Sequence, residues 1–316
     1  MPLLRFIATR ISISLVTMLI VAVVIYFATA ILPGDVASRL LGRSPDPTAL
    51  AILQKRLGLD VPLVFRFLKW LGHVLIGDPG VSLISGQPVA EIVGRTLWNS
   101  SLLALLALLI YLPIAVIPAA IQAIYADRKT DHAISGAALG IMSLPDFLLG
   151  TFLLLAFAAW WPIFPPRSTI DETSGALDVL RALVLPAVTI ALVMGTYATR
   201  YLRENLIEVL NSDYVRMARL NGIRESTVLW RHAFPNALVP TLNVTSLSLT
   251  YLFGGVVVVE KVFAFPGFGN LLVSSLMQLD VPVIQATVLV AAAIYVAGNL
   301  VADLLTVMVN PRLRYQ

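Results

Sequence analysis

The sequence of 316 residues contains no cysteine, only three histidines and few charged residues, which make up 13% of the chain. The absence of cysteine excludes disulfides, thiolate metal sites and a cysteine nucleophile. Average soluble domains carry about 25% charged residues, so the low charge argues against a soluble globular enzyme. The 58% of hydrophobic residues also argues against a disordered chain, which would need low hydrophobicity and high charge.

Six long hydrophobic stretches are present instead, and a membrane-spanning helix needs about 20 apolar residues. Five of the stretches carry no charged residue, and the third carries one, Asp146. The predicted spans cover residues 11–32, 97–124, 133–161, 183–199, 237–259 and 281–302. The first stretch is too long for the apolar core of a signal peptide, and we interpret it as an uncleaved first helix. The sequence therefore predicts an all-α membrane protein with six transmembrane helices.

Two kinds of chemistry are missing from this framework. The chain has four lysines and none follows a glycine, so no P-loop of the form GxxxxGK[ST] exists to bind ATP. None of the three histidines lies inside a predicted span, which argues against an intramembrane serine hydrolase. We therefore expect a non-catalytic chain without a metal or cofactor of its own.

The distribution of basic residues predicts the orientation of the chain. The two termini and the loops after spans two and four hold 12 Lys and Arg residues, whereas the short loops on the opposite side hold three. Basic residues in short loops are retained on the cytoplasmic side, and long loops translocate largely regardless of charge. Both termini should be cytoplasmic, and the long segment 33–96 should lie outside. The net charge of +4 then reflects membrane orientation and not nucleic-acid binding.

The outer segment 33–96 has helical apolar spacing in two places. The residues that recur are Leu50, Leu53 and Leu57, and then Leu63, Phe67, Leu71 and Val74. Gly58 and Pro62 separate the two groups. The pattern predicts two amphipathic helices that lie on the outer membrane surface or on the helix bundle.

The cytoplasmic segment 200–236 is predicted to form two short helices. Asp213 can cap a helix that starts at Tyr214, and Gly222 can end it in the left-handed conformation. A second helix should run from about Glu225 to Phe234, and Pro235 should break the entry to span five. The shape is that of a helix–turn–helix, but both ends are tied to the membrane, which argues against DNA binding.

Polar residues inside the predicted spans are candidates for a translocation path. Asp146 is the one clear ionisable residue at membrane depth, and a single carboxylate makes a poor proton relay. It could equally be a hydrogen-bonded residue beside a proline kink. Span five is rich in small polar residues, of which Asn243 and Ser246 are the candidates for lining the path. Packing between helices explains such residues equally well.

The cytoplasmic loop carries the most specific motif in the chain. It runs from Tyr214 through Arg216, Ala218 and Arg219 to Gly222, and then from His232 to Pro235 and Asn236. This pattern resembles the EAA loop of ATP-binding-cassette (ABC) importer permeases, in the variant of the dipeptide, oligopeptide and nickel systems. The glutamate of the general motif corresponds here to Arg216.

Further segments strengthen the resemblance over nearly the whole chain. They are Leu32–Pro33–Gly34–Asp35 after span one, Gly77–Asp78 with Gly80 and Ser82 in the outer segment, the outer-loop motif of Glu260, Phe263, Pro266, Gly267 and Gly269 after span five, and the C-terminal Asn310–Pro311–Arg312.

The resemblance implies a type I ABC importer permease fold of the bacterial inner membrane. Residues 1–95 would be an N-terminal span with its outer segment, residues 96–307 the transporter core, and residues 308–316 a cytoplasmic tail. The implied partners are a second related permease, two ATPase chains that bind ATP and Mg²⁺, an extracytoplasmic solute-binding protein and the lipid bilayer. Tyr214, Arg216, Ala218, Arg219 and Gly222 would couple the chain to an ATPase.

The implied function is ATP-driven import of di- or oligopeptides. A single-chain secondary carrier or channel is the alternative that the residues themselves leave open.

Overall fold

The computed structural model describes residues 2–31, 61–169, 175–238, 240–241 and 256–309. Within these ranges the regular secondary structure is helical, and the one extended pairing is an isolated bridge between Val81 and Pro88. The α-helices are α1 (Pro2–Ile31), α2 (Leu63–Leu75), α3 (Val89–Ile124), α4 (Lys129–Met142), α5 (Asp146–Leu154), α6 (Ala176–Leu210), α7 (Asp213–Leu220), α8 (Glu225–Thr227), α9 (Val256–Val262), α10 (Phe268–Gln278) and α11 (Val281–Val309). Two π-helical turns, Leu155–Trp160 and Val228–Ala233, directly follow α5 and α8. The all-α prediction is confirmed.

Among the described residues, four segments are long and apolar enough to cross a membrane. They are Thr9–Ile31, Val89–Ile124, Ala176–Leu210 and Val281–Leu300. Helix α4 and the segment Asp146–Trp160, which is α5 with the π-helical turn that follows it, add a fifth span if this bent pair is counted as one. Most of the predicted span 237–259 lies outside the described residues, so the number of six spans remains a prediction.

The third predicted span is broken and is not one continuous helix. Helices α4 and α5 meet at an angle of 102° around residues 143–145. Pro145 has no N–H to donate, and its ring prevents the helix from continuing through this point. Asp146 then begins α5, where a carboxylate is favourable because the positive end of the helix dipole lies there.

The fourth predicted span is part of a much longer helix. Arg181 and Arg200 bound its uncharged run, yet both lie inside α6, which has 35 residues. Charges mark where a span leaves the hydrocarbon, and a helix can continue beyond that point into the polar region.

The chain forms two compact units, of which the first comprises Met1–Leu97 and Leu271–Ala297. In this unit the Gln285 amide on α11 donates a hydrogen bond of 2.7 Å to the Thr29 hydroxyl on α1. Asp280, just before α11, accepts hydrogen bonds from the Ser82 hydroxyl and the Leu83 N–H. These buried polar contacts fix the outer segment and the first helix to the start of the last helix.

The second unit comprises Trp98–Asn270 and Gly298–Gln316. Its first apolar cluster joins α3, α6 and α9, and includes Leu103, Tyr111 and Phe263. A second cluster joins the other ends of α3 and α6 to the segment 215–237. The cytoplasmic loop of the sequence analysis is therefore part of the packed core of this unit.

A proline inside α3 determines how α3 and α6 pack. Pro118 has no N–H, so the carbonyl group of Ile114 loses its partner within the helix. The Thr199 hydroxyl on α6 donates to this carbonyl at 2.9 Å and shares its hydrogen with the Gly195 carbonyl of its own helix at 2.8 Å. Gly195, one turn earlier, allows the close approach, because a Cβ atom there would collide with the Ile114 side chain. Transmembrane helices tolerate proline when a neighbouring hydroxyl supplies the missing donor in this way.

We expect Thr199→Val to destabilise the bundle by about 1–2 kcal/mol, because the Ile114 carbonyl then stays buried without a donor. The measurement is thermal unfolding of the purified protein in detergent. Thr196→Val is the matched control, since its hydroxyl donates only to Leu192 and Val193 of its own helix. Equal losses in the two variants would show that the contact between α3 and α6 does not depend on this hydrogen bond.

Candidate functional site

The first short helix of the segment 200–236, which the sequence predicts to be cytoplasmic, starts one residue earlier than predicted. Helix α7 includes Asp213, and Ser212 occupies the N-cap position. The Ser212 hydroxyl donates back to the Val209 carbonyl and accepts no hydrogen bond from the first N–H groups of the helix, so no side chain caps α7. Asp213 lies in the first turn, where its negative charge favours the helix through the dipole.

Gly222 ends α7 in the left-handed conformation, as predicted, with a φ of 75°. Its N–H donates to the Arg219 carbonyl, and the next N–H, of Ile223, donates to the Ala218 carbonyl. A Cβ atom at Gly222 would have no neighbour within 4 Å. Glycine is therefore required by the backbone conformation and not by space.

The second short helix differs from its prediction. It starts at Glu225, as expected, but widens into a π-helical turn over Val228–Ala233 and continues as helix through residue 238. Pro235 therefore lies within a helix and does not break it. A π-helical turn allows this because it removes the usual clash between the proline ring and the carbonyl four residues earlier.

One face of α7 packs against the core of the second unit. Val215 and Ala218 are buried beside Val228, Leu229 and Ala233 of the π-helical turn. Ala218 was among the residues that the resemblance implied would couple the chain to an ATPase. The structure places it on the inner face, where its small side chain lets α7 pack closely on its own chain.

The opposite face of α7 is exposed and apolar. Tyr214, Met217 and Leu220 are 46%, 58% and 74% exposed, and their spacing of three residues places them on one side of the helix. The sequence analysis selected Tyr214 but missed Met217 and Leu220. Their apolar character, three and six residues after Tyr214 in a polar loop, was the pattern that could have identified them.

The Arg219 side chain makes several contacts within the loop and does not simply extend into solvent. Its Nε and Nη2 atoms donate to the Glu225 carboxylate at 2.8 and 3.2 Å, and Nη1 donates to the Leu210 carbonyl at 3.1 Å. One side chain thus connects the end of α6, the helix α7 and the start of α8. Arg216, by contrast, lies on the exposed surface.

Tyr214 also makes contacts across the loop. Its hydroxyl donates to the His232 carbonyl at 3.2 Å and accepts from the Asn236 amide at 3.0 Å. These bonds fix the ring of Tyr214 while leaving one of its sides at the surface. They bring the two halves of the sequence motif, which are 18 to 22 residues apart, into direct contact.

A buried carboxylate beside this loop was missed by the sequence analysis. Asp131, on α4, is 1% exposed and accepts two hydrogen bonds from Arg203 of α6, at 2.7 and 2.5 Å. The Gln122 amide on α3 and the N–H of Asp127 donate to the same carboxylate at 3.0 Å each. Asp131 therefore connects three helices, α3, α4 and α6. Its contact on α6, Arg203, lies seven residues before the end of that helix. Nothing local in the sequence distinguishes it from an ordinary loop charge.

The outer motif is more buried than a loop would be. Glu260 was predicted to follow span five in a loop, but it lies within α9 and is 0% exposed. Its carboxylate accepts from the Ser100 hydroxyl at 2.6 Å and from the N–H of Asn270 at 2.7 Å. Ser100 in turn accepts from the N–H of Phe268 at 2.8 Å. The carboxylate is thus the centre around which the residues after α9 fold.

The remaining residues of the outer motif fit closely around this carboxylate. A Cβ atom on Gly267 would overlap the Glu260 carboxylate, and one on Gly269 would collide with Val257. Phe263 is buried, and the Pro266 carbonyl accepts from the Asn99 amide at 2.9 Å. The motif therefore forms a rigid, well-packed turn.

The candidate residues for the translocation path are only partly described. Asp146 is the first residue of α5 and is half-buried at the break between α4 and α5. Asn243 and Ser246 lie outside the described residues.

The long apolar helices and the anchored loop define the chain as a polytopic membrane protein with a structured loop at one end of its helices. Residues 111–315 match the family described as the inner membrane component of binding-protein-dependent transport systems. Residues 3–119 match the N-terminal part of the membrane component of the same systems. The chain belongs to this family, and it is a multi-pass permease subunit of the inner membrane. The resemblance drawn from the loop motif is thereby confirmed.

Relatives align over nearly their full length. A protein of Brucella abortus (strain 2308), named provisionally as a peptide transport system permease, is 36% identical over 306 residues, 97% of this chain and 98% of its own length. The glutathione transport system permease protein of Salmonella paratyphi A is 35% identical over 307 residues, 95% of each chain.

We expect Asp131→Ala to destabilise the protein by about 3–5 kcal/mol, because it leaves the Arg203 charge partly buried without its partner. Adding Arg203→Ala to this variant should restore part of the loss, since the unpaired charge is then removed. The measurement is thermal unfolding in detergent.

Glu204→Ala is the control for the Asp131 variants. It removes an exposed ion pair with Arg200 on the same helix, and such pairs contribute at most about 1 kcal/mol. If Asp131→Ala lowered the stability no more than Glu204→Ala does, Asp131 would not be what holds α3, α4 and α6 together.

Proposed function

We propose that this permease couples ATP hydrolysis on partner ATPase chains to solute import, and that α7 is the element that contacts the ATPase. The exposed stripe of Tyr214, Met217 and Leu220 is the observation that carries this proposal. An amphipathic helix binds a partner by placing such a stripe into an apolar groove. Arg216 lies beside the stripe, where a charge adds specificity at the rim of an interface.

The anchoring of α7 supports transmission of movement into the membrane. Two residues separate α7 from α6, and Arg219 braces the connection through the Leu210 carbonyl. A force on α7 would therefore move the end of α6 and would not be lost in a flexible loop. Through Arg203 and Asp131, α6 would carry α4 with it. ATP and solute would then bias one two-state equilibrium from opposite sides of the membrane.

The proposed complex contains this chain, a second related permease, two ATPase chains that bind ATP and Mg²⁺, and an extracytoplasmic solute-binding protein. Asp146, Asn243 and Ser246 are proposed to line the path between the permeases. The Glu260 turn is proposed to shape its outer mouth. The names of the relatives support peptides as the transported class. Family membership argues against a single-chain carrier or channel.

We expect the double variant Met217→Ala/Leu220→Ala to reach the membrane normally but to lose substrate uptake and binding of the ATPase. Both side chains are exposed, so their removal costs the fold little, whereas removing anchors from a groove weakens binding by about 1 kcal/mol or more for each. The measurements are uptake in whole cells and co-purification of the co-expressed partner ATPase.

Leu177→Ala is the matched control, because Leu177 is a similarly exposed leucine in the first turn of α6, at the opposite end from α7. Full co-purification of the ATPase with the double variant would exclude α7 as the docking helix.

The proposed orientation places both termini and α7 in the cytoplasm. The chain has no cysteine, so single cysteines can be labelled without background. A membrane-impermeant thiol reagent added to intact cells should label Thr169→Cys, which is exposed between α5 and α6. It should label Ser226→Cys, exposed in α8, only after the cells are opened. The reverse pattern would invert the proposed topology.

A further inference from the structure

Helix α2 in the first unit has three distinct sides, and none of them carries an acidic residue. One side packs on α1 through Phe67 and Trp70. The second side is apolar and exposed, and it consists of Val64, Phe65, Leu68 and Leu75, which we call the apolar stripe. The third side holds Arg66, Lys69 and His73, which we call the basic stripe. The spacing of three, four and seven residues within these sets places each set on its own side of the helix.

The contact with α1 locates α2 relative to the membrane. Tyr26 lies 5.3 Å from Phe67 and 5.1 Å from Trp70, measured between ring centroids. Tyr26 is in the last two turns of α1, whose segment Thr9–Ile31 is a candidate span with only 11% of its most apolar window buried. A span with so much free apolar surface faces lipid. Aromatic rings near the end of a span are typical of the membrane–water interface.

The apolar and basic stripes of α2 fit that interface, although Arg66 of the basic stripe also interacts with Tyr26 of α1. The apolar stripe has four large side chains, between 56% and 79% exposed, beside a helix that faces lipid. The basic stripe cannot enter hydrocarbon without a large cost, but it can reach headgroups while the rest of the helix lies flat. A helix with one apolar side, one basic side and no acidic residue is complementary to a negatively charged membrane surface.

We propose that α2 is an interfacial helix that binds anionic phospholipid at the membrane surface where α1 ends. The apolar stripe contacts the acyl chains, and the exposed Lys69 contacts the headgroup phosphates, whereas Arg66 interacts with Tyr26 of α1 and helps to hold the helix there. Packing of Phe67 and Trp70 on Tyr26 holds the helix at this depth. The proposal holds for either orientation of the chain across the membrane, and it does not depend on the coupling role of α7.

The depth of α2 can be measured with single cysteines carrying a nitroxide spin label, in the full-length chain reconstituted in lipid nanodiscs. At Leu68→Cys the label should be more accessible to oxygen, which concentrates in hydrocarbon, than to a water-soluble nickel chelate. At the matched position His73→Cys, on the basic stripe of the same helix, the preference should be reversed. Equal accessibility to the nickel chelate at both positions would overturn the proposal.

A protein partner would give a different result in the same experiment. If Leu68→Cys is open to the nickel chelate in lipid and becomes protected only when the other transporter chains are added, the stripe is a protein-docking surface and the lipid proposal is wrong. Protection by lipid alone supports the proposal.

Selectivity for anionic lipid can be tested with a fluorophore at Leu68→Cys. In nanodiscs of equimolar phosphatidylcholine and phosphatidylglycerol, we expect spin-labelled phosphatidylglycerol to be enriched about fivefold beside the fluorophore for each basic contact, and to quench it correspondingly more than spin-labelled phosphatidylcholine. Lys69→Gln should lower this preference, and Lys69→Arg should retain it. Equal quenching by the two lipids in the parent chain would overturn the proposal.

Discussion

The packing of this permease depends on the rule that backbone polar groups inside a bilayer must find partners within the protein. Pro118 removes one donor from α3, and the Thr199 hydroxyl of α6 replaces it at the Ile114 carbonyl. That bond requires the two helices to be very close, which Gly195 permits. Since α6 leads directly to α7, the position of the cytoplasmic loop follows from how α6 is held against α3 in the membrane.

Two buried carboxylates each hold several parts of the chain together. Asp131 accepts hydrogen bonds from three other parts of the chain, and Glu260 accepts from Ser100 and from backbone N–H groups of the turn that follows it. A buried charge is tolerated only when paired or fully hydrogen-bonded, so each of these groups requires one arrangement of its neighbours. The two carboxylates make rigid connections at places where a moving transporter would need its segments to move as units.

The sequence predicted the features that are set by local chemistry. Apolar runs located the long helices, and the requirement for a left-handed residue located the turn at Gly222. It failed where distant residues decide the outcome. The inward position of Ala218 and the burial of Glu260 depend on packing partners far away in sequence, and the continuation of a helix through Pro235 depends on a π-helical turn that no residue pattern indicates.

The two faces of α7 have opposite requirements, and this explains how one short helix can serve both the fold and a partner. Its inner face must be small and apolar to pack on the π-helical turn, as Val215 and Ala218 are. Its outer face carries large apolar side chains that remain exposed in the single chain. Such exposed apolar side chains lower solubility and bring an isolated subunit no benefit. Such a cost is consistent with a surface that is covered in the assembled transporter, and Arg219 fixes the helix so that its outer face is preformed before any partner binds.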